Sequence, residues 1–269
     1  GGGNPVWPAI FLALLSMVAV FVLFILGARI YDRTTGLFAA TLASASFYIM
    51  LASRWLSNPT PMLLLSVLLL WSMILVSQGR RWAWVLISLF SGLSLFHFGS
   101  SGEFFYFPAI LIFMIWKRKF LPTVKIFLIC VFIFFLTAAP LIFFDLRHDH
   151  LLLNNLKKFF VDDQSFKASF WDVAKIRLTF YYDVFSSKIF HWRRTREIAL
   201  LASVSVAFVI FLPTILKKTE VKILLLLLIS PLIGLLFFQG NFGNIYDYYL
   251  TGYYLLFILL FGIVLGRIW

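Results

Sequence analysis

The sequence predicts an all-α protein, a polytopic transmembrane bundle of about nine helices in which residues 1–269 form one membrane domain. Three observations carry that prediction. Hydrophobic residues make up 62% of the chain and charged residues only 13%, whereas about a quarter of the residues of ordinary soluble domains are charged. The mean hydropathy is +0.97. Long apolar runs recur from one end to the other, and a run of roughly 17 to 25 such residues crosses the ~30 Å of hydrocarbon in a bilayer.

On that measure the spans fall at 8–27, 36–52, 60–78, 82–98, 103–116, 124–144, 197–216, 221–239 and 251–267, with 103–116 short enough to be tilted or re-entrant. Pro5, Pro8, Pro59, Pro61 and Pro122 stand at starts, and Gly79 and Gly99 near ends, as helix termini require. Pro140, Pro213 and Pro231 fall within or near the ends of spans. Neighbouring helices or water can satisfy the carbonyls these prolines free.

Orientation follows from the short connections. Arg29 and Arg33, Arg80 and Arg81, Lys117 to Lys119, Lys217, Lys218 and Lys222, and Arg267 mark every second boundary. Cationic short loops stay in the cytoplasm, so the sequence predicts an external N-terminus and a cytoplasmic C-terminus. The net charge of +12 does not indicate nucleic acid, because a nucleic-acid binder gathers its cations on a soluble domain. The single cysteine, Cys130, lies in an apolar run and excludes disulfides and Cys-based metal sites.

The other set of connections is then external: 1–7, 53–59, 98–102, 145–196 and 240–250. Within the long external loop 145–196, Phe170, Ala174, Leu178, Tyr181 and Phe185 recur at helical spacing opposite Lys167, Asp172, Lys175 and Asp183. This predicts an amphipathic helix, either along the interface with Trp171, Tyr182 and Trp192 as anchors or packed on the bundle.

The external segments carry the candidate chemistry. No phosphate-binding glycine loop, nucleophile elbow or zinc-protease motif occurs. Arg54 and Arg147 stand at external helix ends, and a guanidinium stays charged and offers a rigid fork to phosphate. Asn58, His97 and His148 are their expected neighbours, with Glu103, Asp145, Tyr246, Asp247 and Tyr248 in support. Either arginine can instead snorkel to head groups or pair with Asp145 or Asp149. For His97 and Glu103 a local hydrogen-bonded pair closing a turn is the preferred reading over a shared site. His148 and His150 are two apart, which places them roughly 200° apart on a helix. No cofactor follows from the sequence, and a divalent metal is left open. The ligand expected is an anion with a greasy part that lies between helices.

"ARIYDRTTGLFAATLASASFYIMLASRWLSNPTPMLLLSVLLLWSMIL", "ISLFSGLSLFHFGSSGEFFYFPAILIF", "PLIFFDLRHDHLLLNN" and "NIYDYYLTGYYLLFILL" resemble stretches of membrane glycosyltransferases of the protein-mannosyltransferase and aminoarabinose-transferase type. The resemblance covers most of 4–155 and about 240–265. It implies a GT-C fold and transfer of a sugar from a polyprenyl-phosphate carrier to a glycan, lipid or protein acceptor on the external face of a bacterial inner membrane. It also implies a catalytic Asp in a loop upstream of this chain, so a truncated chain of this kind is expected to be inactive alone. Asp145, Asp149 and Asp247 match no catalytic acid of that family. A transporter or lipid flippase is the alternative reading, and a membrane scaffold a third.

Overall fold

The computed structural model describes residues 3–157, 169–188, 190, 194–238 and 244–269, and among them the ordered backbone is helical with no strand. The long helix α1 (Val6–Ile30) is followed by α2 (Arg33–Ala45), the short α3 (Phe47–Ala52), α4 (Met62–Ser77) and α5 (Ala83–Leu93). A π-helical turn, Ser94–Phe98, ends α5. Next come α6 (Tyr106–Trp116), α7 (Val124–Arg147), α8 (Leu151–Lys157) and α9 (Phe170–Tyr182), then α10 (Arg194–Ile215), α11 (Thr219–Phe237) and α12 (Tyr254–Ile268). Of these, α1, α7, α11, the 198–215 part of α10, and 247–268 taken with α12 are long and apolar enough to cross a membrane; Met62–Ser77, Ala83–Phe98 and Glu103–Trp116 are shorter.

Local chemistry sets the boundaries. Asp32 caps α2 by accepting from the Thr35 amide at 2.7 Å, and Thr123 does the same for α7 through Ile126 at 3.5 Å, each satisfying a donor that the first turn leaves free. Pro5 and Pro61 precede α1 and α4, where no intrahelical donor is needed. Pro140, Pro213 and Pro231 lie inside continuous helices. The predicted span 36–52 is two helices. Ser46 leaves helical geometry at ψ 112° and closes α2, while its Oγ accepts from Ile49 N to open α3.

Helices in lipid gain little from hydrophobic exclusion and associate instead through close packing. At the α1–α2 crossing a Cβ on Gly27 would stand 2.7 Å from Gly36 Cα, so only glycine admits this approach. On its other side α2 presses on α12, where a Cβ on Gly262 would meet Ala39 at 3.0 Å. Helices α4 and α12 form the centre, with Leu69, Leu70, Met73, Leu256 and Leu259 fully buried. Helix α7 is peripheral: its buried residues are Thr137 and Ala138, and it leans on α5 through the Ser88 hydroxyl, which donates to Cys130 O at 2.6 Å.

Helix α9 packs on the bundle. Its buried face is Val173 and Arg177, continued by Val184, while Leu178, Trp171 and Tyr182 are exposed. Arg177 is 2% exposed and donates from Nε to Leu235 O and from Nη2 to Phe238 O, both at 3.2 Å. A cation thus meets the carbonyl end of α11, where the helix dipole favours it. The predicted positions Lys167 and Trp192 and the part of the last external loop at 240–243 lie outside the described residues.

Candidate functional site

The break at Ser46 determines where Arg54 goes. Helix α3 leaves the line of α2, and the loop after it is held by Thr60, which is 2% exposed and donates to Ala52 O at 3.0 Å and Trp55 O at 2.9 Å. Ser53 Oγ closes the turn onto Met50 O at 2.7 Å. Arg54 therefore sits at the rim of a groove of about 670 Å³ between α1 and α2, whose walls include Met17, Phe21, Leu37 and Met50.

The groove is mostly apolar, with Ser16, Ser44 and Ser53 in its lining, and Arg54 is its one cation among the described residues. It reaches from Ala13 to Phe24 along α1, about 16 Å at the helical rise. Met17, Phe21 and Leu37 are 67%, 62% and 57% exposed, so the slot opens sideways along its length. At its inner end the Gly27–Gly36 crossing closes α1 against α2.

A polar network adjoins the rim. Trp55 packs edge-on against Tyr48 at 5.9 Å, and Tyr48 against Tyr254 at 5.4 Å. The Tyr48 hydroxyl donates to Asp247 Oδ2 at 2.8 Å, the Tyr248 amide donates to Asp247 Oδ1 at 2.9 Å, and the Tyr254 hydroxyl donates to Asp247 O at 2.8 Å. Tyr246 and Tyr248 lie parallel, 5.5 Å apart, and both are exposed. Arg54, Asp247, Tyr246 and Tyr248 thus belong to one region at the same end of the bundle, joined by Tyr48 and Trp55. Asn58 lines a separate hollow of about 590 Å³ with Leu56, Pro61 and Phe98.

Glu103 is 1% exposed and is a structural centre. Its Oε2 accepts from Ser100 N at 2.7 Å and Ser100 Oγ at 2.9 Å. Its Oε1 lies against Gly252, where a Cβ would come within 2.8 Å. Tyr253 donates its hydroxyl to Gly102 O at 2.8 Å. The 99–103 turn is thereby fastened to the 247–253 segment that carries Asp247. His97 does not join it: its Nε2 bonds Thr137 O at 2.7 Å, and because a carbonyl only accepts, Nε2 carries the hydrogen. The turn is closed by Glu103 with Ser100 rather than with His97.

The 145–150 cluster stands on the corner between α7 and α8. Asp149 and His150 adopt left-handed backbone, φ 51° and 58°, which reverses the chain. Asp145 Oδ1 accepts from Leu152 N at 2.6 Å and Leu153 N at 3.2 Å, and Oδ2 lies 3.5 Å from His150 Nδ1. Its carboxylate serves the start of α8 and makes no ion pair with Arg147. His148 stacks on Phe144 at 4.0 Å, and its Nδ1 donates to Phe144 O at 2.7 Å. Arg147 and His148 are exposed at the end of α7, and among the described residues no hydrogen bond, ion pair or ring contact links them to Arg54. No group of three His, Cys, Asp or Glu side chains able to hold a metal occurs among the described residues.

Tyr48, Tyr254 and Thr60 hold the region together and lie in or beside apolar stretches. Their one sequence signal is a hydroxyl in a hydrophobic setting, which requires a partner.

No curated protein and no solved structure matches this chain. The sequence profile for dolichyl-phosphate-mannose-protein mannosyltransferase matches residues 2–144, more than half of the 269. That stretch contains α1 to α6, nearly all of α7, Arg54 and every residue lining the groove except Leu255. The chain belongs to the dolichyl-phosphate-mannose-protein mannosyltransferase family, membrane glycosyltransferases that draw on a lipid-linked sugar donor.

Proposed function

We infer that the groove receives the lipid tail of a polyprenyl-phosphate sugar and that Arg54 binds its phosphate, at an end of the bundle that faces the outside of the membrane. The supporting observation is the pairing of an apolar, side-opening slot with a single guanidinium at its rim. An amphiphile with an anionic head and a long hydrocarbon tail matches both parts. As the anomeric carbon gains positive character, the phosphate leaves with its negative charge, and a fixed cation beside it lowers that barrier.

The neighbours fall into supporting roles. Asp247, held by Tyr48 and the Tyr248 amide, accepts from sugar hydroxyls, and exposed Tyr246 and Tyr248 offer flat apolar faces to the sugar or its acceptor. Asn58 borders the same end. Arg147 and His148, at the C-terminal end of α7, form the far wall for the acceptor or carrier. Glu103 fixes the turn on which this arrangement rests. No residue is assigned the part of general base.

A photoreactive polyprenyl phosphate tests the reading. Arg54→Gln should weaken its crosslinking about tenfold or more, the worth of a lost charge-assisted contact. Ala40→Trp, which fills the groove, should block it with Arg54 intact. Equal capture of the uncharged polyprenol, or full capture by Arg54→Gln, would overturn the proposal. A protein that moves polyprenyl phosphate between leaflets without transferring sugar would support a flippase instead.

A further inference from the structure

The end of the bundle opposite Arg54 has a different electrostatic character. The junctions at 28–34, 78–82, 116–125 and 216–222, together with the last four residues, carry twelve Lys and Arg against two carboxylates, Asp32 and Glu220. Side-chain contacts bring the junctions onto one face. Trp84 Nε1 donates to Phe120 O at 2.8 Å and Arg81 Nη2 to Lys119 O at 3.3 Å. Lys218 lies 4.9 Å and Arg267 5.9 Å from the Tyr31 ring. Burial lowers the affinity of the Lys117 amine for its proton, Glu220 raises it and Lys222 lowers it again, so the third and fourth junctions are also electrostatic neighbours.

This charge is not neutralised internally. None of the twelve forms an ion pair with a described residue. The Asp32 carboxylate is occupied as the cap of α2. Several cations lie over aromatic rings instead, as Arg29 does over Trp71 at 5.0 Å and Lys117 over Trp116 at 4.2 Å, which holds the charge in place without cancelling it. Eleven of the twelve are exposed. The opposite end mixes signs, with Asp145, Asp149, Asp172, Asp183 and Asp247 among its cations.

We propose that this face is a docking surface for the head groups of anionic phospholipids. Its position argues for lipid over any other polyanion. The cations ring the ends of apolar helices and are interleaved with exposed Trp82, Trp116 and Trp269, the side chain that settles at head-group depth. Each Lys or Arg at that depth adds attraction to an anionic leaflet. The inference does not depend on the assignment of the groove.

The test is relative lipid association of the protein reconstituted in phosphatidylcholine vesicles doped with spin-labelled phosphatidylglycerol or spin-labelled phosphatidylcholine. The wild type should prefer phosphatidylglycerol about tenfold, and the preference should fall with added salt. R80Q/R81Q/R118Q/K119Q, and separately K217Q/K218Q/R267Q, should each reduce it to about threefold or less. K157Q/K175Q, at the other end, should leave it unchanged. Equal association of both labels with the wild type, a preference that survives both multiple variants, or displacement of the labelled lipid by total RNA would overturn the proposal. If neither variant folds by circular dichroism, the wild-type salt titration decides: a preference insensitive to salt overturns it.

Discussion

Tyr48 donates its hydroxyl to the carboxylate of Asp247 at 2.8 Å, joining the short third helix to the turn that opens the last one. Tyr48→Phe keeps the ring contacts with Trp55 and Tyr254 and removes the hydroxyl, and with it that bond and the longer one accepted from the Tyr254 hydroxyl at 3.5 Å. The expected loss is about 1.5 to 3 kcal/mol, the range for a bond to a charged group. A double-mutant cycle with Asp247→Asn in thermal unfolding measures the coupling.

Thr60→Val should be costlier than its isosteric character suggests. One hydroxyl serves both Ala52 O and Trp55 O, and freeing buried carbonyls costs about 1 to 3 kcal/mol. Capture of polyprenyl phosphate should fall as well, because the same hydroxyl secures the loop bearing Arg54. Unchanged capture in a destabilised variant would separate the loop from the ligand.

Arg54→Lys should lie between wild type and Arg54→Gln in photocapture. A lysine keeps the charge and loses the two-pronged fork that matches phosphate oxygens.

Gly252→Ala should destabilise the 247–253 turn. The added methyl would stand 2.8 Å from Glu103 Oε1 and 2.9 Å from the Tyr106 hydroxyl, and overpacking of this kind costs about 1 to 3 kcal/mol. A lower melting midpoint for Gly252→Ala than for the wild type checks the effect.

Arg177→Leu should release α9 from α11 by leaving the Leu235 and Phe238 carbonyls without their cation. Limited proteolysis reads this as faster cleavage within 145–196 than in wild type.

Hydropathy alone located the helical stretches, because a bilayer demands long apolar runs whatever their partners. It missed the division at Ser46, since a serine is tolerated inside a span and only its backbone geometry reveals the break. Helices α4 and α12 are apolar on every side, so their pattern holds no information about which face meets which neighbour. The stripe through Phe170, Ala174, Leu178, Tyr181 and Phe185 gives only part of the face that meets the bundle: Phe185 is buried and Tyr181 bonds Leu232 O, whereas Leu178 is exposed and Val173 and Arg177 turn inward beside them. An arginine reads as solvated until the carbonyls it serves are known. Arg54 stands out as a candidate from residue type and position. The groove beneath it was not, because it arises between α1 and α2, helices whose separation is set at the Gly27–Gly36 contact.

The sideways opening between α1 and α2, marked by exposed Met17, Phe21 and Leu37, bears on what kind of carrier can be used. A closed tunnel must be threaded and gauges the whole tail. An open flank gauges only the portion lying in it and lets the remainder stay dissolved in the surrounding lipid. If the groove holds the carrier as proposed, the carrier is taken up by drifting in from the plane of the bilayer, and carriers of unequal length become equivalent once their first units are seated.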